Sequence, residues 1–100
     1  MIQGSNPLQR FRLPFDVSRI KTFKAIYAQD KRKILEKKTE DCTMEGNVVS
    51  FRLTQEDTLS FDSDCNLSVQ VRVLDVEGNS LVSRPKQITV WELYDDEVLA

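Results

Sequence analysis

Histidine is absent from this chain. With it go the commonest general base near neutral pH, the commonest metal ligand and every Ser/His or Cys/His nucleophile pair. Glycine and proline are scarce, three of each, and Gly4, Gly46 and Gly78 stand too far apart to form a phosphate-cradling loop. Two cysteines, Cys42 and Cys65, are too few for a disulfide scaffold or a thiolate zinc site. Both are read as reduced thiols in or near the core; a bridge needs strands that bring their Cα atoms to about 5.5 Å. Asp62 and Asp64 tend to raise the Cys65 thiol pKa, which argues against a reactive nucleophile. No apolar run approaches a membrane span, and Met1-Ile-Gln-Gly-Ser-Asn6 lacks the charged and apolar regions of a signal peptide. The expectation is a soluble chain, not secreted by the usual route, that holds no cofactor and no metal and crosses no membrane.

What remains is an ordinary globular balance, 40% hydrophobic and 30% charged over 100 residues, enough for one domain with one core. Its patterning has a period of two. Phe11, Leu13 and Phe15 alternate with Arg10, Arg12 and Pro14, the signature of a half-buried strand. Lys21 to Ala28 alternates less cleanly and leaves the inward face of a second strand open. Asp30 to Asp41 is dominated by charge, with Ile34 and Leu35 as its only strongly apolar pair, and reads as a solvated hairpin tip followed by an edge strand. The turn signal Glu45-Gly46-Asn47 precedes Val49, Phe51 and Leu53. Thr54 then stands as a helix cap before Glu56 and Asp57, predicting one short helical turn from Gln55 to about Ser60. Leu67, Val69, Val71 and Val73 form the strongest strand. After Glu77-Gly78-Asn79, Leu81 to Leu93 supplies at least one more, interrupted or preceded by Pro85. The whole predicts an all-β fold, a small antiparallel immunoglobulin-like β-sandwich over residues 1–100 with one helical turn. The Cys…Trp…Cys spacing of antibody domains is missing, since Trp91 follows both cysteines.

Motifs that suggest chemistry fail on inspection. Asp62-Ser63-Asp64-Cys65-Asn66 begins like a calcium loop, but Leu67 stands at the glycine position and Val73 at that of the bidentate Glu, leaving a polar turn. Glu56-Asp57 and Asp95-Asp96-Glu97 pair carboxylates only as a helix start and a chain tail do. No catalytic residue is assigned.

Charge is uneven along the chain. Residues 1–40 carry ten Lys/Arg against four acids, +6, whereas residues 41–100 carry four against twelve, −8. Either early and late strands interleave and neutralise one another, or a basic face of one copy meets an acidic face of the next. A basic tip, Lys31, Arg32 and Lys33, is a candidate contact; with no aromatic platform beside it and an acidic chain overall, nucleic acid is disfavoured as a partner, and so is a small molecule. In the last strand Ile88 and Val90 point one way while Thr89, Trp91 and Leu93 point the other, so that neither side is plainly solvated. Either the N-terminal segment or a partner covers it, and Trp91 and Tyr94 are the aromatic anchors for such a contact.

The opening Met1-Ile2-Gln3-Gly4, the segment Val49 to Phe61, and Val69 to Asn79 followed by Ser83 and Ile88-Thr-Val90 resemble small β-sandwich proteins from the tail and baseplate region of phages and prophages of Gram-positive bacteria. The resemblance implies a non-enzymatic structural or accessory tail component, present in the bacterial cytoplasm during assembly and then virion-associated, whose partners are itself or larger phage tail proteins. Lys31 to Lys38, the two cysteines and Asp95-Asp96-Glu97 depart from that pattern. The alternative expectation is a carbohydrate- or surface-binding module, for which Tyr27, Trp91 and Tyr94 are the rings available to stack on a sugar.

Overall fold

The computed structural model describes residues 1–95 and 97–99. Its strands are β1 (Leu8–Arg12), β2 (Ile20–Gln29), β3 (Arg32–Lys38), β4 (Thr43–Glu45), β5 (Val48–Arg52), β6 (Leu67–Asp75), β7 (Ser80–Val82) and β8 (Lys86–Ile88). A short helix, α1 (Gln55–Leu59), precedes β6. The small sheet has the order β1-β5-β4; the large one runs β3-β2-β6, with β7 and β8 both on the far edge of β6. All strand pairs are antiparallel. The protein is therefore a small all-β sandwich. Its likeness to immunoglobulin domains is one of layers and not of strand order, because β2 sits between β3 and β6 instead of joining the sheet of β1 and β5.

The period of two explains the layers. In β2 the inward residues are Phe23, Ala25 and Tyr27, and in β6 they are Leu67, Val69, Val71 and Val73, all buried. From the small sheet Val49 and Phe51 meet them, joined by Leu53 beyond β5. Two aromatic contacts cross between the sheets: Phe11 to Phe23, ring centroids 6.3 Å apart, and Phe51 to Tyr27, edge-on at 6.3 Å. Phe61, folded back after α1, lies 5.7 Å from Tyr27. Each such pair adds roughly 0.5–1.5 kcal/mol beyond its area burial.

Local chemistry sets the ends. β1 stops at Arg12 because Pro14 cannot donate to a ladder, although Leu13 N–H still reaches Asn47 O at 2.8 Å. At the start of α1, Thr54 Oγ1 accepts from Asp57 N–H (3.0 Å) and Asp57 Oδ2 accepts from Thr54 N–H (2.9 Å), a reciprocal cap that holds five helical residues. Asp75 Oδ1 accepts from the backbone N–H groups of Glu77 and Asn79, closing the turn into β7. Around Pro85 the expected last strand becomes two of three residues each. Between them Ser83 stands in for the missing ladder, its N–H donating to Val71 O while its Oγ accepts from Val71 N–H, both at 2.9 Å.

Two irregularities were not readable from the sequence. A bulge in the β2–β3 ladder opposes Leu35 to Tyr27 and Lys33 to Ala28, so Leu35 packs on the core while Ile34 is left exposed. Gln29, at the end of β2, is buried and acts as a piece of backbone. Its Nε2 donates to Asp62 O (2.6 Å) and Cys65 O (3.1 Å), and its Oε1 accepts from Asp62 N–H (2.8 Å).

The β2–β3 hairpin closes on two residues, Asp30 and Lys31, at φ 55° and 62°. Side chains in that left-handed region cost roughly 1–2 kcal/mol per residue relative to glycine-compatible backbone. Lys31→Gly is therefore expected to stabilise the fold by about 1 kcal/mol, read as a higher urea midpoint with an unchanged slope. A lower midpoint would remove the strained-turn interpretation.

Candidate interaction surfaces

At the chain ends the backbone resolves one of the two expectations for the last strand. Trp91 N–H donates to Met1 O (2.7 Å) and Gln3 N–H to Trp91 O (3.0 Å), in a parallel bridge of Ile2 with Trp91. The N-terminal segment therefore pairs alongside this stretch; Val90 is buried, but Thr89 and Trp91 are exposed, so the side they share is solvated, contrary to the sequence expectation. The Trp91 side chain stays 63% exposed and Tyr94 97% exposed. Tyr27, the third ring of the sugar-platform expectation, is fully buried, its hydroxyl donating to Gln9 Oε1 at 3.1 Å. Burial, then the Asp57 and Cys42 charges, push its pKa up. The only exposed rings among the described residues are Trp91 and Tyr94.

Lys31, Arg32 and Lys33 are exposed at the β2–β3 tip. The register row Arg32, Gln29, Leu67, Ile88 places that tip and the strand leading to Trp91 at one end of the large sheet, about 14 Å apart at strand spacing. They share an end and make no joint site. Of the tail Asp95-Asp96-Glu97, Asp96 lies outside the described residues.

Early and late strands do interleave, since β1 pairs with β5 and β2 with β6. Local neutralisation does not follow. Among the described residues, eleven of fourteen Lys and Arg lie in strands, against three of fifteen Asp and Glu. Lys24 stands opposite Lys38 on one side and Arg72 on the other. Glu36 is the acid that offsets this group, with Oε2 3.0 Å from Lys33 Nζ and 3.5 Å from Lys24 Nζ; the Lys33 hydrogen bond in particular lowers its pKa. Arg10, Arg12 and Arg52 share the outer face of the small sheet with Glu45. Cations thus occupy the sheet faces, and acids the turns, the helix start and the tail.

The two long sides of the sandwich differ. On one, the chain crosses from β3 to β4 through Thr39, whose Oγ1 accepts from Phe23 N–H (2.8 Å), and Lys37 Nζ reaches Asp57 Oδ2 at 2.8 Å with both side chains mostly buried. On the other, the edges of β1 and of β7 with β8 are unpaired among the described residues. A cleft of about 380 Å³ runs between them, with Phe11, Leu13, Val69 and Val71 as its floor and Arg10, Arg12, Arg84 and Lys86 along its walls. It continues past Leu13 and Val71 into an apolar hollow of about 260 Å³ edged by Phe15 and the exposed Leu81 and Val82. Sequence reading missed this site. Its cations come from two strands whose adjacency depends on the packing of separate sheets, and Arg84 and Lys86 look unremarkable in the chain. The one local signal was Pro85 between them.

The cysteines are unpaired and half-buried. Burial, then Asp41 and Glu40, push the Cys42 thiol up to about 11; burial, then Asp62, Asp30 and Asp64, raise that of Cys65. The Asp62 carboxylate serves its own turn, Oδ1 accepting from Asp64 N–H at 2.8 Å. No helix among the described residues is long and apolar enough to cross a membrane. No family model, no curated protein and no solved structure matches this chain.

The closed side generates a pH prediction. Burial alone would raise the Asp57 carboxyl, but the hydrogen bond from Lys37 and then those from Thr54 more than offset it and hold the pKa below the ordinary value. A depressed folded-state pKa means that the unfolded chain binds protons first, so this stability is full above about pH 5 and is lost as pH falls below about 4. Lys37→Met is expected to cost about 1–2 kcal/mol at neutral pH, between exposed and fully buried pairs, and less in acid. Urea melts at about pH 7 and about pH 3 check the difference; an equal loss at both would show that the charge pair is not the cause.

Proposed function

We propose that this protein is a non-enzymatic structural or accessory component of the tail or baseplate region of a phage or prophage of a Gram-positive bacterium, working by protein–protein contact. The observation that carries the contact reading is the open side of the sandwich, where an apolar floor lies between two unpaired strand edges with exposed Leu81 and Val82 beside it. Apolar surface flanked by free backbone donors and acceptors favours addition of another polypeptide. Trp91 and Tyr94, exposed beside the chain ends, and the Lys31-Arg32-Lys33 tip supply further contact residues. Assignment to a tail rests on the sequence resemblance, and the partners it implies are copies of this chain or larger tail proteins. A carbohydrate-binding role is less well supported, because Tyr27 is withdrawn into the core and leaves Trp91 and Tyr94 to form any stacking platform.

Purified particles from an induced host are expected to contain the chain in stoichiometric amount by quantitative mass spectrometry. Trp91→Ala with Tyr94→Ala, at positions that contribute little to the core, should reduce incorporation by about tenfold or more, as loss of an aromatic anchor does. Intact particles that lack the protein would refute the tail assignment. A glycan array bound by the wild type and not by Trp91→Ala would replace it with the carbohydrate reading.

A further inference from the structure

The cleft between β1 and β7/β8 has two chemical characters at once, and its occupant must satisfy both. Antiparallel alternation decides which backbone groups are free. Leu13 N–H bonds to Asn47 O and Leu53 N–H to Pro7 O, so the intervening bonded partners are Phe11 with Val49 and Gln9 with Phe51. Leu8, Arg10 and Arg12 therefore turn their N–H and C=O groups to the open side. Their side chains stand on the outer face, so a strand added here lies beside an arginine pair two residues apart. Arg84 and Lys86 on the opposite wall bring the cleft to four cations with no carboxylate lining it among the described residues. Charge on an edge strand ordinarily keeps stray strands away. These cations repel the β1 edge of another copy, but they attract an extended segment of opposite charge.

The chain contains such a segment. Glu92-Leu-Tyr-Asp-Asp-Glu-Val-Leu99 has four acids among its first six residues, the densest run of negative charge in the sequence. It is tied to its own domain at two places. Leu93 lies against Gly4 and donates its N–H to Gln3 Oε1 at 3.1 Å, and Leu99 exchanges hydrogen bonds with the half-buried Gln55 side chain at 2.8 and 3.0 Å. Between these ties Tyr94 is almost wholly exposed and Val98 is 46% exposed. Fully extended, Tyr94 to Leu99 spans about 20 Å, enough to cover the roughly 17 Å of β1. In a strand, alternation puts Asp95 and Glu97 on one face at the same two-residue spacing as Arg10 and Arg12, and Tyr94, Asp96 and Val98, one acid between two apolar side chains, on the other.

We propose that the acidic tail of one copy docks as an added strand along β1 of a second copy, with Asp95 and Glu97 beside Arg10 and Arg12, and with Tyr94, Asp96 and Val98 turned into the cleft, whose apolar floor is walled by Arg84 and Lys86. The proposal rests on reading this cleft as a contact surface and specifies its occupant. The contact is heterologous, tail into cleft, so it builds a ring if the rotation closes and a filament if it does not.

The test is the solution mass of the full chain in sodium chloride at about 0.01 M, where charges act over roughly 30 Å, and at about 1 M, where they act over roughly 3 Å. A multiple of 11.6 kDa is expected at low salt and 11.6 kDa at high salt. Arg10→Glu with Arg12→Glu, or Asp95→Lys with Glu97→Lys, should each weaken association at least about tenfold. An equimolar mixture of the two double variants should restore it, because each reversed cleft then meets a reversed tail. Circular dichroism and the melting temperature establish that each variant is folded, and deletion of residues 95–100 replaces the tail variant if it is not. A wild-type chain that is monomeric at both salts, association indifferent to either double variant, or failure of the mixture to rescue would each overturn the proposal. So would low-salt capture of a single-stranded nucleic-acid probe by a monomeric wild type, which would assign the arginine rim to phosphates. If Arg10→Glu with Arg12→Glu loses incorporation into particles while the wild type is monomeric, the contact reading stands and tail docking fails. Self-association without any copy in particles gives the reverse.

Discussion

A line of five rings holds the two sheets at a fixed separation. Phe23 meets Phe11, Phe11 stacks on Phe51 at 5.7 Å, Phe51 meets Tyr27 edge-on, and Tyr27 meets Phe61. The line passes from β2 to the small sheet, back to β2 and out to the segment after α1. Because interiors pack at crystal-like density, the rings set how closely the sheets approach and which way each strand turns its alternate residues. Tyr27 adds one directional constraint, its buried hydroxyl finding Gln9 Oε1 on β1. Once these inward positions are occupied, the intervening residues of every strand must face water.

The charge pattern follows from that necessity. Strands spend their inward positions on apolar groups, and the charged residues that fall within strands in this chain are mostly Lys and Arg. Acids collect where backbone N–H groups need acceptors. Asp57 and Thr54 cap each other at the start of α1, Asp75 closes the turn before β7, and Asp62 serves its own turn. The Asp75 carboxyl lies below its ordinary pKa, chiefly through the Asn79 backbone N–H and side-chain amide. Carboxylates are thus engaged as local caps while the cations spread over the faces, a division by element type and not by sequence half.

The same packing makes the two long sides unequal. Where β3 passes to β4, Thr39 and the Lys37–Asp57 pair close the gap with hydrogen bonds and a largely desolvated ion pair. On the opposite side no connection crosses between β1 and β7 or β8, so their backbone edges and part of the apolar floor remain accessible. The break at Pro85 shortens the far edge, and Ser83 repairs only the side facing β6. The contact surface proposed for this protein therefore arises where the chain's crossovers are absent.

By itself the sequence determined what is local. Alternation marked β1, β2, β5 and β6, Glu45-Gly46-Asn47 marked a hairpin, and Thr54 marked the start of α1, because side-chain period, turn conformation and caps depend on neighbours a few residues away. It named Trp91 and Tyr94 as contact anchors, whose exposure the fold supplied, while the sugar-platform reading counted Tyr27 as available and the fold buried it. Only the tertiary structure decided the rest. The bulge that turns Leu35 inward and Ile34 outward, the conversion of Gln29 into a backbone surrogate, the placing of β7 and β8 on one edge, and the convergence of Arg10 and Arg12 with Arg84 and Lys86 all require residues distant in the chain to meet. Their energies arise from packing and hydrogen bonding between sheets, which no periodicity within one segment encodes.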